Sequence, residues 1–156
     1  GYLYGVAPMI SYYHGEQNHD KLKKLIAFSI RFVIGTSVLC TVVSILGAVP
    51  LVCIFTRPDS PVYALAVTGS RLCSIALLFV GLNVFASGMF TALSNGVVSA
   101  VLAFSRSFLF TAGCILLLPA LLGSVTGVWL ATPVAEFLGT IMAVCLMLRY
   151  RKRYGY

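Results

Sequence analysis

GSVTGVWLATPVAEFLGTIMAVCLMLRYRKRY, Gly123 to Tyr154, decides the fold. From Val125 to Leu148 it runs 24 residues with one charge, Glu136, and stops at Arg149, Arg151, Lys152 and Arg153. A helix of that length rises about 36 Å, enough to cross a hydrocarbon core of about 30 Å with some tilt. The stretch therefore reads as a membrane span with a basic anchor. Glu136 lies halfway along it. An acid at that depth costs about 2.5 to 3.5 kcal/mol on insertion scales, so the default reading of Glu136 is functional, with an ion-paired packing role as the structural alternative.

The composition agrees with a membrane protein. The chain of 156 residues is 60% hydrophobic and 10% charged, with a mean hydropathy of +0.99, whereas soluble domains carry roughly 25% charged residues. The net charge of +7 does not point to nucleic acid, because seven of the eleven basic residues form two clusters flanking apolar runs. That is the positive-inside pattern. The five cysteines, at 40, 53, 73, 114 and 145, lie inside apolar runs without metal-ligand spacing and read as packing residues.

Outward from the decisive stretch, the expected architecture is all-α, with four complete transmembrane helices and the end of a fifth. The first segment, about residues 1–13, is about 20 Å long as a helix and too short to cross. It starts in mid-span without an initiator methionine, so the chain is expected to be the C-terminal portion of something longer. His14 to Lys24 (HGEQNHDKLKK) is expected to be a loop in water, with Gly15 stopping one helix and Asp20 capping the next. Its His14, His19, Glu16 and Asp20 lack the fixed geometry of a metal site, and no metal is expected. The second segment, about 24–55, is longer than a membrane is thick and is expected to bend or restart near Pro50. TRPDSP, Thr56 to Pro61, marks a boundary. The third segment, about 62–93, carries Arg71 and Asn83, with Ser70/Ser74 and Gly88/Ala92 as faces for close helix approach. Ser94-Asn95-Gly96 is a tight turn. The fourth segment, about 97–118, carries Arg106, and the fifth spans about 125–148. In the fifth, Gly123-xxx-Gly127 reads as a packing signal and Trp129 as an interfacial belt residue.

Four passes separate the two basic clusters, so both share a side, and by the positive-inside rule the C-terminus is cytoplasmic. Measured from the cytoplasmic helix ends, Arg106 lies about 14 Å deep and Glu136 about 19 Å, close enough to pair. Glu136, Arg106, Asn83 and Arg71 are thus the candidate solute or ion pathway residues. No catalytic set is visible: no GxSxG, no HExxH, no phosphate-cradling glycine loop, and no two acids on one helix face. Enzymatic activity, a cofactor and a catalytic residue are not expected.

Three stretches carry a family resemblance. PMISYYHGEQNHDKLKK resembles the end of the eighth helix of the multidrug and toxin extrusion (MATE) transporters. FTALSNGVVSAVLAFSRSFLF is similar to their tenth-to-eleventh helix hairpin, and GVWLATPVAEFLG to the start of their twelfth helix. The resemblance covers nearly the whole chain and implies part of one lobe, from the end of the eighth helix through the twelfth, of a protein with two six-helix lobes. It implies export of organic, often cationic, compounds or metabolites in exchange for H+ or Na+ across the cell membrane. The partners implied are a small-molecule substrate, the bilayer and an N-terminal lobe. Some branches carry a coupling aspartate in the tenth helix, whereas residues 62–93 hold no acid and place Val80, Gly81 and Asn83 there. The coupling carboxylate is then Glu136 or lies in the other lobe. Two further readings stay open: a related flippase for lipid-linked sugars, and a non-transporting membrane assembly subunit.

Overall fold

A computed structural model of the protein describes residues 1–124 and 126–156. Among the described residues seven α-helices follow one another: α1 (Tyr2–Gly15), α2 (His19–Phe55), α3 (Tyr63–Ser74), α4 (Leu77–Ala92), α5 (Gly96–Phe104), α6 (Thr111–Leu122) and α7 (Thr126–Tyr154), with a π-helical turn, Ser105–Phe110, joining α5 to α6. Among the described residues there is no strand. Four stretches are long and apolar enough to cross a membrane: His19–Phe55, Tyr63–Ala92, Gly96–Leu122 and Thr126–Tyr154. The all-α membrane architecture expected from hydropathy is the one observed. Val125, where the fifth expected segment begins, lies outside the described residues.

Helix α4 is the hub, packing against α1, α2, α5 and α7. Its Phe85, Met89 and Phe90 are fully buried with Ile10 of α1, Leu22 and Ile26 of α2 and Ala143 of α7. Close approach is bought with small side chains. Gly81 of α4 receives Ser37 and Val33 of α2, and Gly88 receives Leu3 of α1. Hydroxyls supplement this packing: Tyr2 Oη and Ser29 Oγ lie 2.9 Å apart, and Ser11 donates to the Ala92 carbonyl at 2.9 Å.

The helix boundaries differ from expectation for identifiable reasons. The watery loop at His14–Lys24 shrinks to Glu16–Asn18. Helix α1 continues through Gly15, and Gln17, not Gly15, takes the left-handed conformation (φ 56°). Asn18, not Asp20, caps α2, accepting from the Lys21 N–H at 3.2 Å. Asp20 instead sits in the first turn, where a carboxylate favours the helix dipole. Pro50 neither breaks nor restarts α2. It forfeits a single ladder bond in the last two turns, and the helix runs on to the Thr56 N–H bond to Val52 O at 2.9 Å.

The third span is interrupted between α3 and α4, where Ile75, Leu78 and Phe79 bond three residues back. Ser74 Oγ donates to Ser70 O at 2.8 Å, and such back-bonding competes with the helical ladder. The fourth span runs through Pro119 to Leu122 and ends on Gly123 in the left-handed conformation (φ 58°). Gly123 is thus a helix stop, and only Gly127 is a packing glycine, lying against the Leu118 and Pro119 backbone. Trp129 also packs against a glycine of a neighbouring helix. Its indole lies over Gly69 of α3, which has no side chain to obstruct it.

Both basic clusters end up at one end of the bundle. His19 Nδ1 lies 3.2 Å from the Tyr154 carbonyl, and Asn95 Nδ2 donates to Tyr154 Oη at 2.9 Å. Tyr156 Oη donates to Met147 O at 3.1 Å. Burial, with a smaller contribution from Tyr154, pushes the Tyr156 phenol up to about 12, so it keeps the proton it donates.

Candidate functional site

Near the middle of the bundle, α4 and the π turn each contribute one polar side chain, and α7 two, to a single cluster. Arg106 Nη1 donates to Glu136 Oε1 at 2.8 Å. Asn83 Nδ2 donates to Glu136 Oε2 at 2.7 Å and lies 2.9 Å from the Glu136 carbonyl oxygen. Thr140 Oγ1 lies 3.0 Å from that same carbonyl and 3.2 Å from Asn83 Oδ1. Both carboxylate oxygens are therefore engaged, one by a charged donor and one by a neutral one. This is how a buried acid offsets part of its desolvation cost. Glu136 and Asn83 are buried, whereas the Arg106 side chain keeps 26% of its surface open.

Local sequence explains the convergence. Glu136, Gly139 and Thr140 follow i, i+3, i+4 spacing and share a face of α7. Gly139 leaves the room the cluster fills: a Cβ there would lie 3.1 Å from Asn83 Nδ2 and 3.3 Å from Arg106 Cγ. The π turn carries Arg106, and Thr111 Oγ1 donates to its carbonyl at 2.9 Å. A π turn adds a residue to the helical circuit and so changes which side chains face a neighbour.

Arg106 opens onto a cavity of about 210 Å³, whose wall includes Asn83, Ser87, Leu102 and Gly139. Glu136 is not in that wall; it stands behind Arg106. A wider groove of about 530 Å³ along α1 and α4, with Pro8, Ser11 and Thr91, shares Leu3 and Gly88 with the cavity. The two adjoin where Leu3 packs on Gly88. Ser87, Thr91 and Ser99 link α4 to α5 beside them through hydroxyl contacts of 3.0 Å (Ser87 to Ser99) and 2.7 Å (Thr91 to Ser99).

A family description, MatE, matches residues 1–116. The chain belongs to the MatE family. Comparison with curated proteins gave no match, and neither did comparison with solved structures. MatE proteins are transporters, not enzymes, and this chain is a multi-pass membrane protein of that kind, meeting the bilayer and small-molecule substrates. The matched stretch contains Asn83 and Arg106, whereas Glu136 lies beyond it.

Of the four side chains singled out from sequence, three meet and one does not. Arg71 is exposed on α3, and the twelve residues separating it from Asn83 correspond to about 18 Å of helix. It is no part of the cluster. Thr140 and Gly139 were missed, although their spacing from Glu136 was the available signal.

Proposed function

We propose that this chain is the C-terminal lobe of a secondary antiporter that exports organic, often cationic, compounds in exchange for H+ or Na+. Glu136, Arg106 and Asn83 form the polar switch of its pathway. The observation that carries this reading is the position of the carboxylate, buried within an apolar span and separated from a cavity by Arg106 and Asn83, which both bond it and line the cavity.

That geometry supports an exchange. A cation bound at Glu136 competes with Arg106 for Oε1 and turns the guanidinium toward the cavity. When the cation leaves, Arg106 returns and neutralises the acid. The pair therefore keeps the buried charge compensated in either state, as a carrier crossing a low-dielectric region requires. The π turn gives Arg106 a place where the helical circuit can change by one residue. In the two-lobe arrangement implied by the resemblance, the cavity and groove along α1, α4 and α5 form one wall of a central pathway, and lobes that rock against each other expose it alternately.

The test is export by the intact transporter in proteoliposomes. A fluorescent organic cation should move against its gradient when an opposing H+ or Na+ gradient is imposed, and movement should stop when the gradient is collapsed. Movement indifferent to both ions, or translocation of a lipid-linked sugar instead, would reject the proposal.

We place the protein in the cell membrane with its basic end, including the C-terminus, in the cytoplasm. In a background without native cysteines, single cysteines at Gln17 and Lys152, both exposed, should be protected from an impermeant thiol reagent in intact cells. A cysteine at Asp59, exposed at the other end, should react. The reverse pattern would overturn the orientation.

A further inference from the structure

A second cavity, of about 210 Å³, lies at the basic end between α2 and α7, well away from the Glu136 cluster. Its wall is sharply divided. Lys23 and Arg151 supply charge, and Ile26, Ile30, Met147 and Leu148 supply an apolar floor. The division follows membrane depth. Ile26 and Ile30 lie three and seven residues further into the span than Lys23, about 4.5 and 10.5 Å by helical rise, and Met147 lies about 6 Å inward of Arg151. Cationic heads therefore stand at the water boundary, and the floor descends into the hydrocarbon.

Tyr156 shapes the site. Its hydroxyl is tied to Met147 O at 3.1 Å, and its carbonyl accepts from Arg151 Nε at 3.1 Å. The guanidinium is thus oriented through Nε, while its two terminal amino groups take no protein partner among the described residues. No acidic side chain pairs with Lys23 or Arg151: among the described residues the side-chain ion pair is Arg106 with Glu136. Lys24, Arg149, Lys152 and Arg153 add to the positive field nearby.

We infer that this cavity binds the phosphate of an anionic phospholipid, with one acyl chain laid along the Ile26, Ile30, Met147 and Leu148 floor. Two cations without an acidic side-chain partner at the headgroup level suit a phosphodiester, and a guanidinium with free terminal amino groups suits its paired oxygens. Basic pockets between helices on the cytoplasmic side recognise lipid headgroups by this combination. The apolar floor discriminates a lipid from a soluble phosphate, which gains nothing from it. By tying α2 to α7, such a lipid steadies the end of the bundle where the two basic clusters meet.

The experiment is native mass spectrometry of the intact transporter, released from detergent with matched phosphatidylglycerol and phosphatidylcholine. Retention of phosphatidylglycerol should exceed that of phosphatidylcholine by about tenfold. The Lys23→Gln/Arg151→Gln variant should lose the preference, and Lys152→Gln/Arg153→Gln, which removes equal charge outside the cavity, should keep it. Ile30→Trp, which fills the floor and leaves both charges, should also lose it, and melting temperatures of lipid-free protein verify that each variant is folded. Equal retention of the two lipids would overturn the inference, as would equal loss in the two charge variants. Displacement of the lipid by inorganic phosphate or free glycerophosphoglycerol at matched concentration would also overturn it, marking a soluble-phosphate site.

Discussion

Cells expressing the intact transporter with Glu136→Gln are expected to export at least about tenfold less substrate, with protein abundance within about twofold of wild type. Tenfold corresponds to about 1.4 kcal/mol of barrier, a small demand on a residue that would carry the exchanged cation. Retained abundance follows from the surroundings. Glutamine keeps the shape and still accepts from Arg106 through its carbonyl oxygen. Its amide then meets Asn83, which can turn over to present Oδ1 with Thr140 beside it to accept from the turned amide, at the cost of the one neutral bond Asn83 donates to the residue-136 carbonyl. Arg106 loses its counter-charge but is 26% open and lines the cavity, where water can reach it. A sealed pair would behave differently, costing about 3 to 5 kcal/mol on loss of one partner. Efflux assays alongside quantitative blotting separate these outcomes. Wild-type export at normal abundance would remove Glu136 from the mechanism.

The second large effect is expected at Gly127→Val, and it acts on folding. A Cβ at this position would sit 2.8 Å from Leu118 O, 2.9 Å from Leu118 C and 2.9 Å from Pro119 Cα. Those are backbone atoms and cannot rotate aside, so α7 must separate from α6 along the contact that seats it. Overpacking of this kind costs about 1 to 3 kcal/mol, with a branched side chain at the upper end, enough to cut abundance several-fold. Gly113→Ala, where nothing lies within 4 Å of the added atom, is the matched control and should leave abundance unchanged. Fluorescence-detected size-exclusion chromatography reads both. A monodisperse, abundant Gly127→Val protein would mean that α6 and α7 do not pack as closely as described.

Depth along a helix was legible in the sequence, but rotation about its axis was only partly so. Counting residues from the basic ends brought Arg106 and Glu136 to comparable depths, and they pair at 2.8 Å. Arg71 was grouped with them because it is polar and inside an apolar run, yet it lies about 18 Å of helix from Asn83 and is exposed. The π turn left no mark in the hydrophobic pattern, and the bond from Thr111 Oγ1 to the Arg106 carbonyl that accompanies it is visible only in three dimensions. Gly123 and Gly127 looked like one packing motif because both are glycine at a spacing of four. The first instead uses its freedom to adopt φ 58° and the second its lack of a side chain. Residue type suggested a lipid-boundary place for Trp129 but not the seat that Gly69 offers its ring on α3. The polar stretch after α1 was read as a watery loop, and its histidine instead meets the far end of α7. Contacts between distant ends of the chain are not written in local pattern.

Efflux per molecule of the Arg106→Gln/Glu136→Gln double variant, set beside both single variants, tests the central claim most directly. Removing both charges leaves no buried ion unpaired, so the double variant should be at least as abundant as either single one. If Glu136 is the switch of the pathway, export per molecule stays at least about tenfold below wild type even though the protein is present and folded. Export that returns to the wild-type level together with abundance would show that the pair only holds the helices together, and would contradict the account.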